Sequence, residues 1–261
     1  MLGLAVLCCA LVCFAGGLAS GGTRPDARPD PRAVLLTVVQ IVSGAGLGWL
    51  IGWLMSLTPA ETAALALIGA APGTVAVNPL VTLSGGDLTL TRAITAIGGL
   101  AGVAAVAVVA WLAGEGGRGS TLYLLILAAA VPAFAGAWLT DRVPPAIHRL
   151  APIAAGLALA VLILAGLLIG PAGATFWPLI PAALLLAVAL LLLGQGTATA
   201  LRLGAPAATT AALALPMRNI AVPMLAGLAA GLTATPLAAA LYGILMYLLP
   251  LALVISRAAR R

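Results

Sequence analysis

One stretch decides the fold: Thr209-Thr210-Ala211-Ala212-Leu213-Ala214-Leu215-Pro216-Met217-Arg218-Asn219-Ile220-Ala221-Val222-Pro223. It lies in an apolar segment that is long enough to cross a bilayer. Pro216 and Pro223 have no N–H group, so a continuous helix would leave two carbonyls without donors. Broken backbone is tolerated at membrane depth only where protein or a water-filled cavity covers it. Arg218 lies between the prolines, and a charge near the middle of a span marks a candidate functional site.

A second stretch has the same plan: Gly69-Ala70-Ala71-Pro72-Gly73-Thr74-Val75-Ala76-Val77-Asn78-Pro79. It also holds two prolines seven positions apart, with an Asn between them. Two broken helices in corresponding places of two halves point to the midplane site of a secondary transporter. The alternative is that both are kinked packing helices, because Pro and Gly are frequent in membrane spans.

The composition indicates a membrane protein. Of the 261 residues, 63% are hydrophobic and 7% are charged, whereas soluble domains carry about 25% charged residues. The net charge of +6 comes from Arg residues spread over loops, which membrane topology explains better than binding to nucleic acid. Cys8, Cys9 and Cys13 share one apolar segment and form neither a disulfide framework nor a spaced metal site. Titratable groups do not cluster, so we predict that the chain is not an enzyme.

Nine transmembrane helices are predicted from the apolar runs. They cover about 2–19, 33–56, 60–83, 90–113, 120–139, 150–170, 176–194, 206–231 and 236–255. With this count, ten of the twelve Arg residues fall on one side of the membrane: Arg24, Arg28, Arg32, Arg92, Arg142, Arg149, Arg202, Arg257, Arg260 and Arg261. Positive loops stay in the cytoplasm, so we expect a protein of the cell membrane with its N-terminus outside and its C-terminus in the cytoplasm.

The nine spans divide into two halves of one membrane domain. Residues 1–119 hold spans one to four, and residues 120–261 hold spans five to nine. The breaks fall in spans three and eight, which cross the membrane in opposite directions. This arrangement predicts an inverted repeat of five plus five helices that lacks its first helix.

The motifs resemble those of the bile acid:sodium symporter family, of which this chain looks like a divergent member. Pro72–Asn78 is similar to the family's Pro-Gly-Gly-Thr-Ala-Ser-Asn motif, and Met217–Asn219 resembles its Met-Gln-Asn motif or the Met-Arg-Asn variant. Gln40 precedes the first motif as a Gln does in the family, and Thr91 and Thr95 resemble its hydroxyl pair. The resemblance implies a panel and a core, with the two broken helices crossing in the core. It also implies transport of organic anions, often coupled to two sodium ions.

The chain departs from the family at the implied sodium sites. Ala214 stands where the family has the acidic ligand shared by both sites, and Val77 stands in place of its motif Ser. Arg218 replaces a sodium-ligating Gln, and a guanidinium has no acceptor oxygen. The second sodium site is therefore predicted to be lost, and the first to lack its carboxylate. Sodium stays as the one candidate cofactor, at a degenerate site of Gln40, Asn78, Thr91 and Thr95.

Four side chains are the candidate substrate ligands: Thr74, Asn78, Arg218 and Asn219. One hypothesis is that the Arg218 guanidinium takes the place of a coupling cation and balances a carboxylate substrate. The other is that it pairs with carbonyls freed by the breaks and never meets substrate. The two Asn amides can contact substrate or cap loose backbone, because an amide both donates and accepts.

The function predicted is secondary transport of a small organic anion by alternating access. Two alternatives remain open. The first is an uncoupled or proton-linked solute carrier of the same fold, and the second is a membrane scaffold or sensor that no longer transports. The expected partners are the small anion and the lipid bilayer, and the sequence does not indicate an oligomeric state.

Overall fold

The computed structural model describes residues 1–20, 30–113, 118–169 and 176–258, and all regular secondary structure in these ranges is helical. The helices are α1 (Leu2–Ser20), α2 (Pro31–Val38), α3 (Gly44–Leu54), α4 (Pro59–Ala70), α5 (Val77–Leu83), α6 (Leu88–Ala113), α7 (Arg118–Leu125), α8 (Val131–Leu139), α9 (Pro145–Ile169), α10 (Phe176–Ala200), α11 (Ala205–Ala214), α12 (Ala221–Ala229) and α13 (Thr235–Ala258). A π turn at Val39–Ser43 joins α2 to α3, and another at Ile126–Ala130 joins α7 to α8.

Seven of these helical stretches are long and apolar enough to cross a membrane. The described part of the chain is therefore an all-α membrane protein. The other two predicted spans are the pairs α4–α5 and α11–α12, each made of two shorter helices. The count of nine spans stays a prediction. The topology argument also used Arg24, Arg28, Arg260 and Arg261, which lie outside the described residues.

Two helix boundaries differ from the expected ones. Helix α9 begins at Pro145, five residues before the predicted start, because Pro is well tolerated in the first turn of a helix. Helix α10 continues to Ala200 instead of ending near residue 194. The extra turns remain helical although they contain polar residues. Ala198 is buried on one face, and the Thr199 hydroxyl donates to the carbonyl of Gln195 within the helix.

Both broken helices stop where the paired prolines lie. Helix α4 begins with a capping box, in which Thr58 and Glu61 exchange side-chain and backbone hydrogen bonds. It ends at Ala70, just before Pro72, and α5 starts after six residues without helix. Helix α11 ends at Ala214, just before Pro216, and α12 again starts after six residues. The sequence prediction of two interrupted helices is confirmed at both places.

The remaining helices enclose these two. Helix α1 packs against α8 and α9, whereas α3 packs against α4, and α10 packs against α11 and α13. A main core of apolar side chains runs through most of the helices. A smaller cluster joins α2, α6, α10 and α11 around Leu36, Leu90, Ile94 and Leu215. The two breaks are therefore held inside the protein and away from lipid.

A row of small residues brings α3 and α4 into close contact. Gly44, Gly48 and Gly52 recur every fourth residue on one face of α3. A Cβ atom at Gly48 would overlap the backbone carbonyl of Leu65, and a Cβ at Gly44 would overlap that of Gly69. Small residues allow such close approach, which is how membrane helices gain packing energy in lipid.

We predict that Gly48→Ala lowers the melting temperature of the purified protein, because the added methyl group forces α3 away from α4. Gly46→Ala is the matched control, since a Cβ there would meet no atom within 4 Å. The control should be neutral or slightly stabilising, because Ala exceeds Gly in helix propensity by about 1 kcal/mol. Equal melting temperatures for the two variants would contradict the close packing.

Candidate functional site

The two breaks meet each other. The Asn219 N–H donates to the Pro72 carbonyl at 2.8 Å, and the Thr74 N–H donates to the Met217 carbonyl at 3.3 Å. Gly73 and Arg218 thereby form an isolated antiparallel β-bridge. The unwound segments of the two helices thus cross and satisfy part of each other's backbone, as broken helices at membrane depth require.

Arg218 holds this crossing together. Its side chain is 0% exposed. Nη1 donates to the Ala71 carbonyl at 3.0 Å, and Nη2 donates to the Gln40 carbonyl at 2.8 Å. Ala71 follows the last residue of α4, so the guanidinium lies at the negative end of that helix. The contact with Ala71 matches the second hypothesis for Arg218, the pairing with carbonyls freed by the breaks. Contact with substrate stays a prediction.

No carboxylate balances this charge among the residues that the structure describes. The one salt bridge there joins Arg32 to Asp30, at the start of α2. The Arg218 Nε atom is buried without a hydrogen-bond partner. A full positive charge is therefore held by neutral groups, chiefly two backbone carbonyls, which is a costly arrangement in a medium of low dielectric constant.

Gln40 ties the second break into the same network. Its Nε2 donates to the Ala214 carbonyl at 2.9 Å, and Ala214 is the last residue of α11. Its own backbone carbonyl accepts from Arg218. Gln40 lies in the π turn Val39–Ser43, a local geometry that is frequent at functional sites. One residue thus joins the ends of both broken helices.

Two residues of this network were not among the sequence candidates. A Cβ at Gly44 would overlap the Arg218 guanidinium as well as α4, and the spacing of Gly44, Gly48 and Gly52 could have revealed it. Tyr242 on α13 is buried, and its hydroxyl donates to the Pro216 carbonyl at 2.6 Å. No local signal distinguishes Tyr242, because its partner lies 26 positions away in the sequence.

A cavity of about 250 Å³ opens beside the crossing. Its walls come from α1, α6, α8 and the first break, and most of the atoms that line it are carbon. The polar lining side chains are Cys13, Thr74, Thr95 and Asn219. Two of the four candidate substrate ligands, Thr74 and Asn219, therefore reach the cavity. Arg218 and Asn78 do not line it.

Asn219 caps loose backbone, which is one of the two roles expected of an amide at the break. Its Oδ1 accepts from the Ala221 N–H at 3.2 Å and so caps the start of α12. Its Nδ2 donates to Cys13 Sγ at 3.5 Å and has a second hydrogen, since an amide carries two. Thr74 Oγ1 accepts from the Ala76 N–H at 3.4 Å, which leaves its hydroxyl hydrogen for another acceptor. Both side chains can donate into the cavity.

Of the four predicted sodium ligands, Thr95 lines the cavity and the other three do not. Thr91 is fully buried, and its hydroxyl donates at 2.9 Å to the carbonyl of Asp87, the residue before its own helix. Asn78 lies on α5, which packs against α6, and its Oδ1 is a buried oxygen without a partner. An oxygen of this kind suits the first sodium site. At the second predicted site the Gln40 backbone carbonyl accepts from Arg218, and its side-chain Oε1 is also a buried oxygen without a partner. The loss of the second sodium site stays a prediction.

Comparison with known proteins does not assign the chain to a family. The sequence matches no protein-family model, and it matches no curated protein. The resemblance to bile acid:sodium symporters therefore stays a prediction from the motifs.

We predict that Arg218→Gln destabilises the protein by about 1–3 kcal/mol, because the buried Ala71 carbonyl loses its donor, whereas the Gln40 carbonyl keeps the Gly44 N–H. Arg92→Gln is the matched control, since Arg92 is exposed on α6. Chemical or thermal unfolding of the purified protein measures the difference. An Arg218→Gln protein as stable as the control would show that the guanidinium does not hold the crossing.

Proposed function

We propose that this protein is a secondary transporter that moves a small organic anion by alternating access, and that it is a divergent member of the bile acid:sodium symporter family. The observation that carries the proposal is the cavity whose polar end lies at the crossing of two broken helices. Secondary transporters bind their substrates at such crossings.

The charge of the site supports an anion. Arg218 has no carboxylate partner among the described residues, and it neighbours Asn219, which lines the cavity. Helix α12 begins at Ala221, so the positive end of its dipole adds to the same potential. A carboxylate in the cavity would offset this buried charge without touching the guanidinium.

The size of the cavity supports a small substrate. A cavity of roughly 150 Å³ is enough to bind benzene, and this one measures about 250 Å³. Its polar groups gather at the crossing. We infer a small monocarboxylate, between benzoate and a medium-chain fatty acid in size, with its carboxylate near Thr74, Thr95 and Asn219 and its apolar body along α6 and α8.

The protein moves as two bodies in this proposal. The panel is formed by α1, α7, α8 and α9, and the core by the other helices, with nine spans in all. The cavity lies where α1 and α8 face α6 and the crossing. Rocking of the panel against the core would expose it to each side of the cell membrane in turn. The N-terminus lies outside and the C-terminus in the cytoplasm.

Sodium has at most a secondary role in this proposal. The guanidinium of Arg218 supplies a permanent positive charge where the family that the motifs resemble has an ion. The oxygens of Asn78, Thr91 and Thr95 remain as a weak site without a carboxylate.

Uptake of labelled benzoate into proteoliposomes tests this function. We predict that Thr95→Val weakens the apparent affinity about tenfold, because a hydrogen bond to a charged group contributes about 1.5–3 kcal/mol. Thr199→Val is the matched control, since Thr199 is exposed on α10 and bonded within its own helix.

Three outcomes are informative. Saturable uptake that Thr95→Val weakens and Thr199→Val does not would support the proposal. Binding without uptake would favour the scaffold or sensor. Uptake that Thr95→Val leaves unchanged would place the substrate outside this cavity.

A further inference from the structure

We propose that the cavity opens sideways into the lipid bilayer, between α6 and α8, and that the substrate enters through this opening from the hydrocarbon phase. The inference deepens the proposed function and rests on it. It also narrows the substrate to a monocarboxylate that partitions into membranes, such as a medium-chain fatty acid.

The first observation is that two side chains border two spaces at once. Leu100 on α6 and Phe134 on α8 line the cavity beside the crossing. The same two side chains line a shallow apolar groove on the outer surface, together with Ala130, Val131, Ala135 and Trp138. The groove and the cavity thus adjoin each other at Leu100 and Phe134.

The second observation is that this groove faces lipid. Phe134 is 68% exposed and Trp138 is 60% exposed, although both lie on a stretch that is apolar enough to span a membrane. Large apolar side chains exposed at that depth contact hydrocarbon. A molecule in the groove is therefore in the bilayer and not in water.

The third observation is that little would have to move. The cavity wall beside these side chains consists of small residues, including Ala96, Gly99 and Ala133. A Cβ at Gly99 would meet no atom within 4 Å, so there is open space next to Leu100. Exposed side chains change rotamer within nanoseconds. Rotation of Phe134 and Leu100 would join groove and cavity without a shift of either helix.

The positions of the charged and polar groups predict how the substrate is oriented as it enters. Arg142 follows α8, and its guanidinium lies 3.9 Å from the centre of the Trp138 ring, at the outer end of the groove. A cation at this depth can attract the carboxylate of an acid dissolved in the leaflet. The polar groups at the inner end are Thr74 and Asn219. The apolar lining between these two ends suits a hydrocarbon tail.

Photolabelling in proteoliposomes tests the opening directly. The probe is decanoic acid that carries a diazirine near the end of its chain. We expect labels within 96–103 of α6 and 129–138 of the α8 region, and we expect unlabelled decanoate to reduce them. Labels confined to other helices, or no competition by decanoate, would overturn the inference.

Leu100→Trp tests the route, because a larger ring narrows the opening. We expect the initial rate of decanoate uptake to fall about tenfold, which corresponds to about 1.4 kcal/mol in the barrier. Leu112→Trp is the matched control, since Leu112 is also exposed on α6, at 70%, but lines neither the cavity nor the groove. Equal rates and equal labelling for the two variants would overturn lateral entry.

The same experiments separate this inference from the proposed function. Competed labelling at the opening without any uptake would support the lateral opening and refute transport. Uptake of decanoate that is insensitive to Leu100→Trp would support transport and refute the lateral route.

Discussion

Hydrocarbon supplies no hydrogen bonds, so every backbone group freed by a break in a membrane helix must find its partner inside the protein. This constraint organises the molecule. The two breaks pair with each other through backbone hydrogen bonds. The Arg218 guanidinium donates to a carbonyl at the end of α4, and the Gln40 amide donates to a carbonyl at the end of α11. Tyr242 reaches the carbonyl of Pro216 from α13. The other helices enclose this arrangement, and the glycine row lets α3 pack closely against α4.

The same network gives the proposed function its chemistry. A guanidinium cannot leave with the substrate as an ion can, so the positive charge at the crossing is permanent. An anion in the adjacent cavity would be attracted by this charge in either orientation of the transporter. Affinity then depends on Thr74, Thr95 and Asn219, which are the polar side chains beside Cys13 that the cavity presents. An apolar lining on the remaining walls favours a substrate with an apolar body.

Much of the fold could be predicted from the sequence, because the decisive signals are local. Paired prolines located both breaks, and Arg218 stood out as a charge within a span. The candidate site was predicted less completely. Thr91 and Thr95 lie one turn apart, yet only Thr95 lines the cavity, and this depends on how α6 is rotated against its neighbours. The amide of Gln40 donates to the carbonyl of Ala214, which is 174 positions away in the sequence. Spacing along the chain carries no information about such a contact.

The central claim is that the Arg218 guanidinium takes the place of a coupling cation. The most direct test is the rise in melting temperature that benzoate causes in the purified protein, measured in sodium chloride and in choline chloride at equal ionic strength. A ligand that binds only the folded protein raises its melting temperature by mass action. The account predicts the same rise in both salts. A rise that occurs only with sodium would contradict it, because the binding site would then still require the ion.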